Sequence, residues 1–121
     1  MNTEITELIG KTITKIVGME KDKDVVIFET SDGEKYKMYH EQDCCEEVTI
    51  DDVCGDVNDL IGSPILCAEE CTNDGGSEWG TCTWTFYHFV TVKGYLVLKW
   101  YGESNGYYSE SVDFCKIDNS E

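Results

Sequence analysis

Arginine is missing from the sequence: all nine cations among its 121 residues are lysines. Without the guanidinium fork that grips phosphate through two parallel hydrogen bonds, nucleic-acid binding loses its usual anchor and nucleotide chemistry is disfavoured. Between Met38 and Val92 there is no cation at all, while twelve carboxylates fall in that span. Proline occurs once, at Pro64. No apolar run approaches the roughly 20 residues of a membrane-spanning helix, and no apolar segment follows Met1 to direct export. G-x-S-x-G, P-loop, H-E-x-x-H and dinucleotide fingerprints are all absent, so no known catalytic motif claims the chain.

What is present is acid and aromatic character. Asp and Glu number 25, the net charge is −16, and aromatics make up 12% of residues, too many for a disordered acidic tail. The length suits one compact domain spanning 1–121. A field of this sign repels nucleic acid and anionic membranes and steers the protein towards basic surfaces. Cysteines stand at 44, 45, 54, 67, 71, 82 and 115, an odd number, which fits reduced thiols in a cytoplasm, most of them small buried hydrophobes.

Periodicity predicts an α+β fold, mainly antiparallel, with six to eight strands and one or two short helices. TEITELIG makes a helical turn stopped by Gly10, and Lys11 to Met19 makes a strand. VVIFET and EKYKMYH flank Asp32-Gly33 as a hairpin. A second helical turn ends at Gly62, and ILCAEEC follows Pro64 as a strand. ELIGKTI (7–13) echoes DLIGSPI (59–65), which suggests a duplicated turn-to-strand unit. TNDGGSEWG (72–80) reads as a loop.

The last forty residues alternate strongly around Lys93-Gly94 and Asn105-Gly106 and predict a C-terminal three-stranded meander. Pairing Val92 with Tyr95 places Trp84, Phe86, Val90, Val97, Tyr101, Val112 and Phe114 on one face, and Tyr87, Phe89, Leu96, Leu98 and Trp100 on the other. Both faces are apolar, so the second predicts a cover such as another subunit, and with it a homodimer.

The densest group of polar side chains is MYHEQDCCEEV, residues 38–48. A metal site from His40, Cys44, Cys45 and Cys54 is one reading, but adjacent cysteines in a strand point to opposite faces and lack the C-x₂₋₄-C spacing of tetrahedral sites. Acidic neighbours also raise a thiol pKa, against a nucleophilic cysteine. No catalytic residue and no cofactor is assigned. His40, Glu41, Asp43, Glu46, Glu47, Asp51 and Asp52 instead read as contact residues of an acidic surface. Tyr101, Glu103, Tyr107 and Tyr108 add an aromatic and polar tip suited to recognition.

The phrases MYHEQDCCEEV, DLIGSPI, WTFYHFVTVKG and WYGESNGYYSESV resemble a family of small uncharacterised phage-encoded proteins, also found in bacterial genomes, from about residue 5 to about residue 115. The resemblance carries no activity and no site residue. It implies a protein made in the cytoplasm of an infected bacterial host. The expected function is therefore non-enzymatic: a phage accessory protein that binds a host protein with a basic surface through an acidic face resembling DNA phosphates, without direct nucleic-acid or membrane binding. The alternatives are sequestration of a small nucleotide-type immune signal, and the metal-binding reading above.

Overall fold

Among the described residues eight strands alternate between a buried and a solvent face and pair into two four-stranded sheets, all their ladders antiparallel. The computed structural model describes residues 4–40, 46–77, 80–104 and 110–117. The strands are β1 (Ile13–Val17), β2 (Val25–Thr30), β3 (Lys35–Tyr39), β4 (Glu47–Gly55), β5 (Cys67–Ser77), β6 (Gly80–Thr91), β7 (Gly94–Ser104) and β8 (Asp113–Ile117). Sheet 1 has the order β1-β2-β3-β8 and sheet 2 the order β4-β7-β6-β5. The two predicted helical turns are 3₁₀ turns, Ile5–Leu8 and Val57–Asp59.

The inner faces pack on each other. Phe28 of β2 meets Phe89 of β6 at 6.0 Å between ring centroids and Phe114 of β8 at 6.1 Å, while Tyr36 stacks on Phe114 at 5.4 Å. The indole N–H of fully buried Trp100 donates to the Met38 sulfur across the sheets at 3.2 Å. Each fully buried side chain of this size stabilises the fold by roughly 1.5–3 kcal/mol before entropy is counted.

The connectivity has an internal two-fold pattern. β1-β2-β3 and β5-β6-β7 are each a meander, and each gives its following strand to the other: β4 pairs with β7, and β8 with β3. At the centre the two echoing segments meet. Ile9 bridges Ile65 and Ile13 bridges Ile61, the Gly10 N–H donates to the Ile65 carbonyl at 2.8 Å, and the Gly62 N–H donates to the Ile13 carbonyl at 2.9 Å. Gly10 and Gly62 have φ of 88° and 89°, the left-handed region that glycine adopts without a Cβ clash.

Three predicted elements come out differently. The C-terminal three-stranded meander does not form, because the chain leaves sheet 2 after β7 and β8 joins sheet 1, taking Phe114 into the core. The turn joining β6 and β7 pairs Thr91 with Gly94, two residues away from the predicted register; an even shift preserves the faces, so Tyr87, Phe89, Leu96, Leu98 and Trp100 are buried together as expected. The predicted loop 72–80 is strand up to Ser77, with Gly75 opposite Cys82. A Cβ on Gly75 would lie 2.9 Å from the Cys82 sulfur and 3.2 Å from the Trp84 ring, so here glycine admits a close neighbour rather than a turn.

Candidate functional site

The outer face of sheet 2 gathers aromatic side chains beside the acidic edge strand β4, with a single carboxylate, Glu69, on the β5 side. Register places Trp84 beside Tyr101 and Phe86 beside Lys99 on the central strands β6 and β7. Trp84 and Tyr101 approach at 5.2 Å between centroids, and the Lys99 ammonium stands 6.0 Å from the Phe86 ring centre. Trp84, Phe86, Val97 and Tyr101 remain half-exposed, so this face keeps a solvent-reachable apolar centre.

Carboxylates rim it. On β4, Glu47 lies opposite Glu103 and Asp52 opposite Lys99, with a bulge at Asp51 whose carboxylate is 3.3 Å from the Lys99 ammonium. On β5, exposed Glu69 lies opposite His88. The Tyr101 hydroxyl donates to Glu103 at 3.2 Å, and partial burial together with that carboxylate pushes its pKa up to about 12, so it stays a neutral donor. Two carboxylates directly opposite each other on a ladder repel, a local cost of the kind a basic partner removes. Lys15, Lys35 and Lys37 lie on the outer face of sheet 1, which gives the two faces different charge.

The sequence-predicted contact residues divide. Glu47, Asp51, Asp52, Tyr101 and Glu103 come together on this one face. Glu41, Asp43, Cys44, Cys45, Tyr107 and Tyr108 lie outside the described residues. His40 and Glu46 are corrected: their side chains are 3% and 0% exposed, with Nε2 and Oε2 3.6 Å apart, which removes both from a surface contact role. His40 Nδ1 is 2.7 Å from the Ser111 carbonyl, so the pair joins the end of β3 to the segment before β8.

The metal reading loses Cys54, which is exposed at the far end of β4. Seven residues of strand separate it from Glu47, roughly 20 Å by strand rise, so Cys54 and His40 do not share an ion. Among the described residues no group of three or more His, Cys, Asp and Glu is placed to hold a metal. The expectation of buried thiols is corrected as well: of the described cysteines, 54 and 71 are exposed and 67, 82 and 115 half-exposed.

Sequence reasoning placed Trp84 and Phe86 on a common face with Tyr101 but did not assign them to a site. The signal was the second apolar face of β6 and β7, which needed only the knowledge that sheet 1 covers the other one. No helix among the described residues is long and apolar enough to cross a membrane. No curated protein and no solved structure matches the chain. A model of a domain of unknown function, DUF7448, matches residues 6–114, and the chain belongs to that family.

Proposed function

We propose that this is a non-enzymatic binding protein whose sheet 2 outer face docks on a protein with a basic, partly apolar surface. The observation that carries the reading is the like-charged pair Glu47–Glu103 set beside the half-exposed Trp84 and Tyr101. Aromatic anchors in the middle and charge at the rim is the anatomy of a specific interface. The sign of the rim, and a net charge of −16, favour a cationic partner and oppose a second copy of the chain. In the phage setting that the sequence resemblance implies, that partner is a host protein, and its basic surface is one that otherwise meets DNA. Nucleotide sequestration is less well supported, because two cavities formed by the described residues are lined by carboxylates and contain no lysine.

The test is capture from bacterial lysate on immobilised protein at low and high salt, with double-stranded DNA as competitor. A partner retained by the wild type should be lost with Glu47→Lys and Glu103→Lys combined, and with Trp84→Ala, but kept by Lys35→Glu on the opposite sheet. Exposed charges further apart than the ~10 Å screening length at 0.1 M salt cease to attract, so retention should fall steeply with salt. Retention insensitive to both salt and the charge reversals would overturn the reading.

A further inference from the structure

Four strands end the two sheets, and three of these edges are closed or short. On β4, the Ile50 N–H donates to the Lys23 carbonyl and the Ile50 carbonyl accepts from the Asp22 N–H, both at 2.8 Å, so the β1–β2 turn covers that edge beside the bulge at Asp51. On β1, the Ile13 carbonyl accepts from the Gly62 N–H at 2.9 Å and the register slips between Ile13 and Lys15. β8 is five residues long. Covered, bulged and short edges are how sheet proteins avoid unwanted strand pairing.

β5 has none of these devices. Its eleven residues pair with β6 one for one, from Cys67 opposite Val90 to Ser77 opposite Gly80, without a bulge. Among the described residues no strand, turn or cap bonds the main chain of residues 71–76 on the side away from β6, and all six except half-exposed Gly75 are exposed. Six residues is the length of an ordinary strand.

We propose that residues 71–76 of β5 accept a lysine-bearing extended segment of another protein as a fifth strand of sheet 2. Main-chain hydrogen bonds to the open ladder supply the affinity in this mode of recognition, and side chains choose the partner. The charged side chains of β5 are Glu69, Glu70 and Asp74, all acidic. A second copy of the chain would bring the same three carboxylates to the seam, where like charges repel, whereas a basic strand brings their counterions. Charge on an edge also serves to turn strands away, but charge of one sign turns away only strands of that sign. Gly75 adds a contact: the Trp84 ring lies over it, 3.2 Å from where a Cβ would stand. An incoming side chain in that row therefore meets the indole, on which the methylene stem of a lysine packs. The proposal does not require the outer face to be occupied, and Trp84 alone belongs to both surfaces.

The probe is the peptide acetyl-KTKVKTK-amide, titrated into the full chain at fixed ionic strength. Its controls are the same sequence N-methylated at every residue, which keeps the charge and cannot pair, and acetyl-ETEVETE-amide. N-methylation should weaken binding about tenfold or more, the scale of two or more hydrogen bonds, and the acidic peptide should not bind. Amide hydrogen exchange on the wild type is the decisive readout. In the free protein the amides of alternate residues within 71–76 point away from β6 and exchange fast; the basic peptide should protect those same amides, with a period of two. Proline at whichever of Thr72 and Asn73 has the fast amide removes an outward donor and no bond to β6, so it should cut affinity about threefold to tenfold, the worth of one hydrogen bond. No binding at millimolar peptide, equal binding of the N-methylated peptide, protection without alternation, or self-association through β5 would each overturn the proposal. The lysate capture by the outer face is decided by its own variants, Glu47→Lys with Glu103→Lys, so the two readings fail separately.

Discussion

The imidazole of His40 and the carboxylate of Glu46 face each other across 3.6 Å inside the protein, at the two ends of the β3–β4 connection. The Ser111 carbonyl can only accept, so the hydrogen at 2.7 Å belongs to Nδ1, and Nε2 is the atom turned to Glu46. Removing the ring empties a buried site and frees the Ser111 carbonyl from its donor. His40→Ala should therefore destabilise the fold by about 1–3 kcal/mol, the cost of an unmade buried hydrogen bond, read as a lower urea midpoint with an unchanged slope. A loss below about 0.5 kcal/mol, the scale of an ordinary surface substitution, would show that the pair contributes nothing.

Acid should weaken the fold at the β2–β3 turn. The Thr30 hydroxyl and the Lys11 ammonium lower Asp32 from 3.8 to about 2, and Lys116, the Tyr36 hydroxyl and Lys11 lower Glu34 from 4.5 to about 2. A folded-state value below the unfolded one means stability that is complete above about pH 4.5 and is lost as pH falls towards about 2. The Lys11→Met variant should lose part of that pH dependence. Denaturant midpoints between pH 2.5 and 6 should fall less steeply for the variant than for the wild type.

Glu110 depends on its hydroxyls. Burial raises its pKa, but donors from Ser104, Thr81 and Thr83 outweigh burial and hold it below the ordinary carboxylate value. Replacing one donor by an isosteric methyl, as in Thr83→Val, should cost about 1–2 kcal/mol, the worth of a hydrogen bond to a charged group. Thr14→Val on β1, whose hydroxyl is exposed and bonds a carbonyl at 3.2 Å, is the control and should cost less.

Gly102→Ala should be more damaging than Gly76→Ala. A Cβ at 102 would lie 2.8 Å from Val48 Cγ2 and 2.9 Å from the Glu110 carbonyl oxygen, and one at 76 meets nothing closer than 3.7 Å. Overpacking of this kind costs about 1–3 kcal/mol. Melting temperatures of the two variants separate the cases.

Alkylation should distinguish the thiols. Burial and the neighbouring Glu69 carboxylate push the Cys67 pKa up, which suppresses its thiolate, while Cys54 and Cys71 are exposed. Iodoacetamide at neutral pH, followed by peptide mass spectrometry, should modify Cys54 and Cys71 before Cys67. The reverse order would contradict the arrangement of β5.

Much of the fold was legible because a strand's period of two survives errors of register. The pairing predicted for β6 and β7 was two residues off, and Leu96, Leu98 and Trp100 still shared the correct face. The destination of β8 was not legible: local alternation cannot distinguish pairing with β7 from pairing with β3, a strand some eighty positions earlier, and packing of Phe114 on Phe28 and Tyr36 decides it. Within the site, Glu47, Asp51, Asp52, Tyr101 and Glu103 could be identified as exposed polar and aromatic positions. His40 and Glu46 could not be separated from them, because their burial follows from each other and from Ser111 rather than from residue type.

The exchange of β4 and β8 between the two meanders bears on how the two halves hold each other. The same exchange between separate copies of one half is a strand-swapped homodimer, whose assembly depends on concentration. Joining the halves in one chain makes the association intramolecular, so the sandwich holds at any dilution. Within one chain the two halves need not be alike, and the lysines of sheet 1 set against the carboxylate-rimmed aromatics of sheet 2 show how differently the two outer faces are dressed.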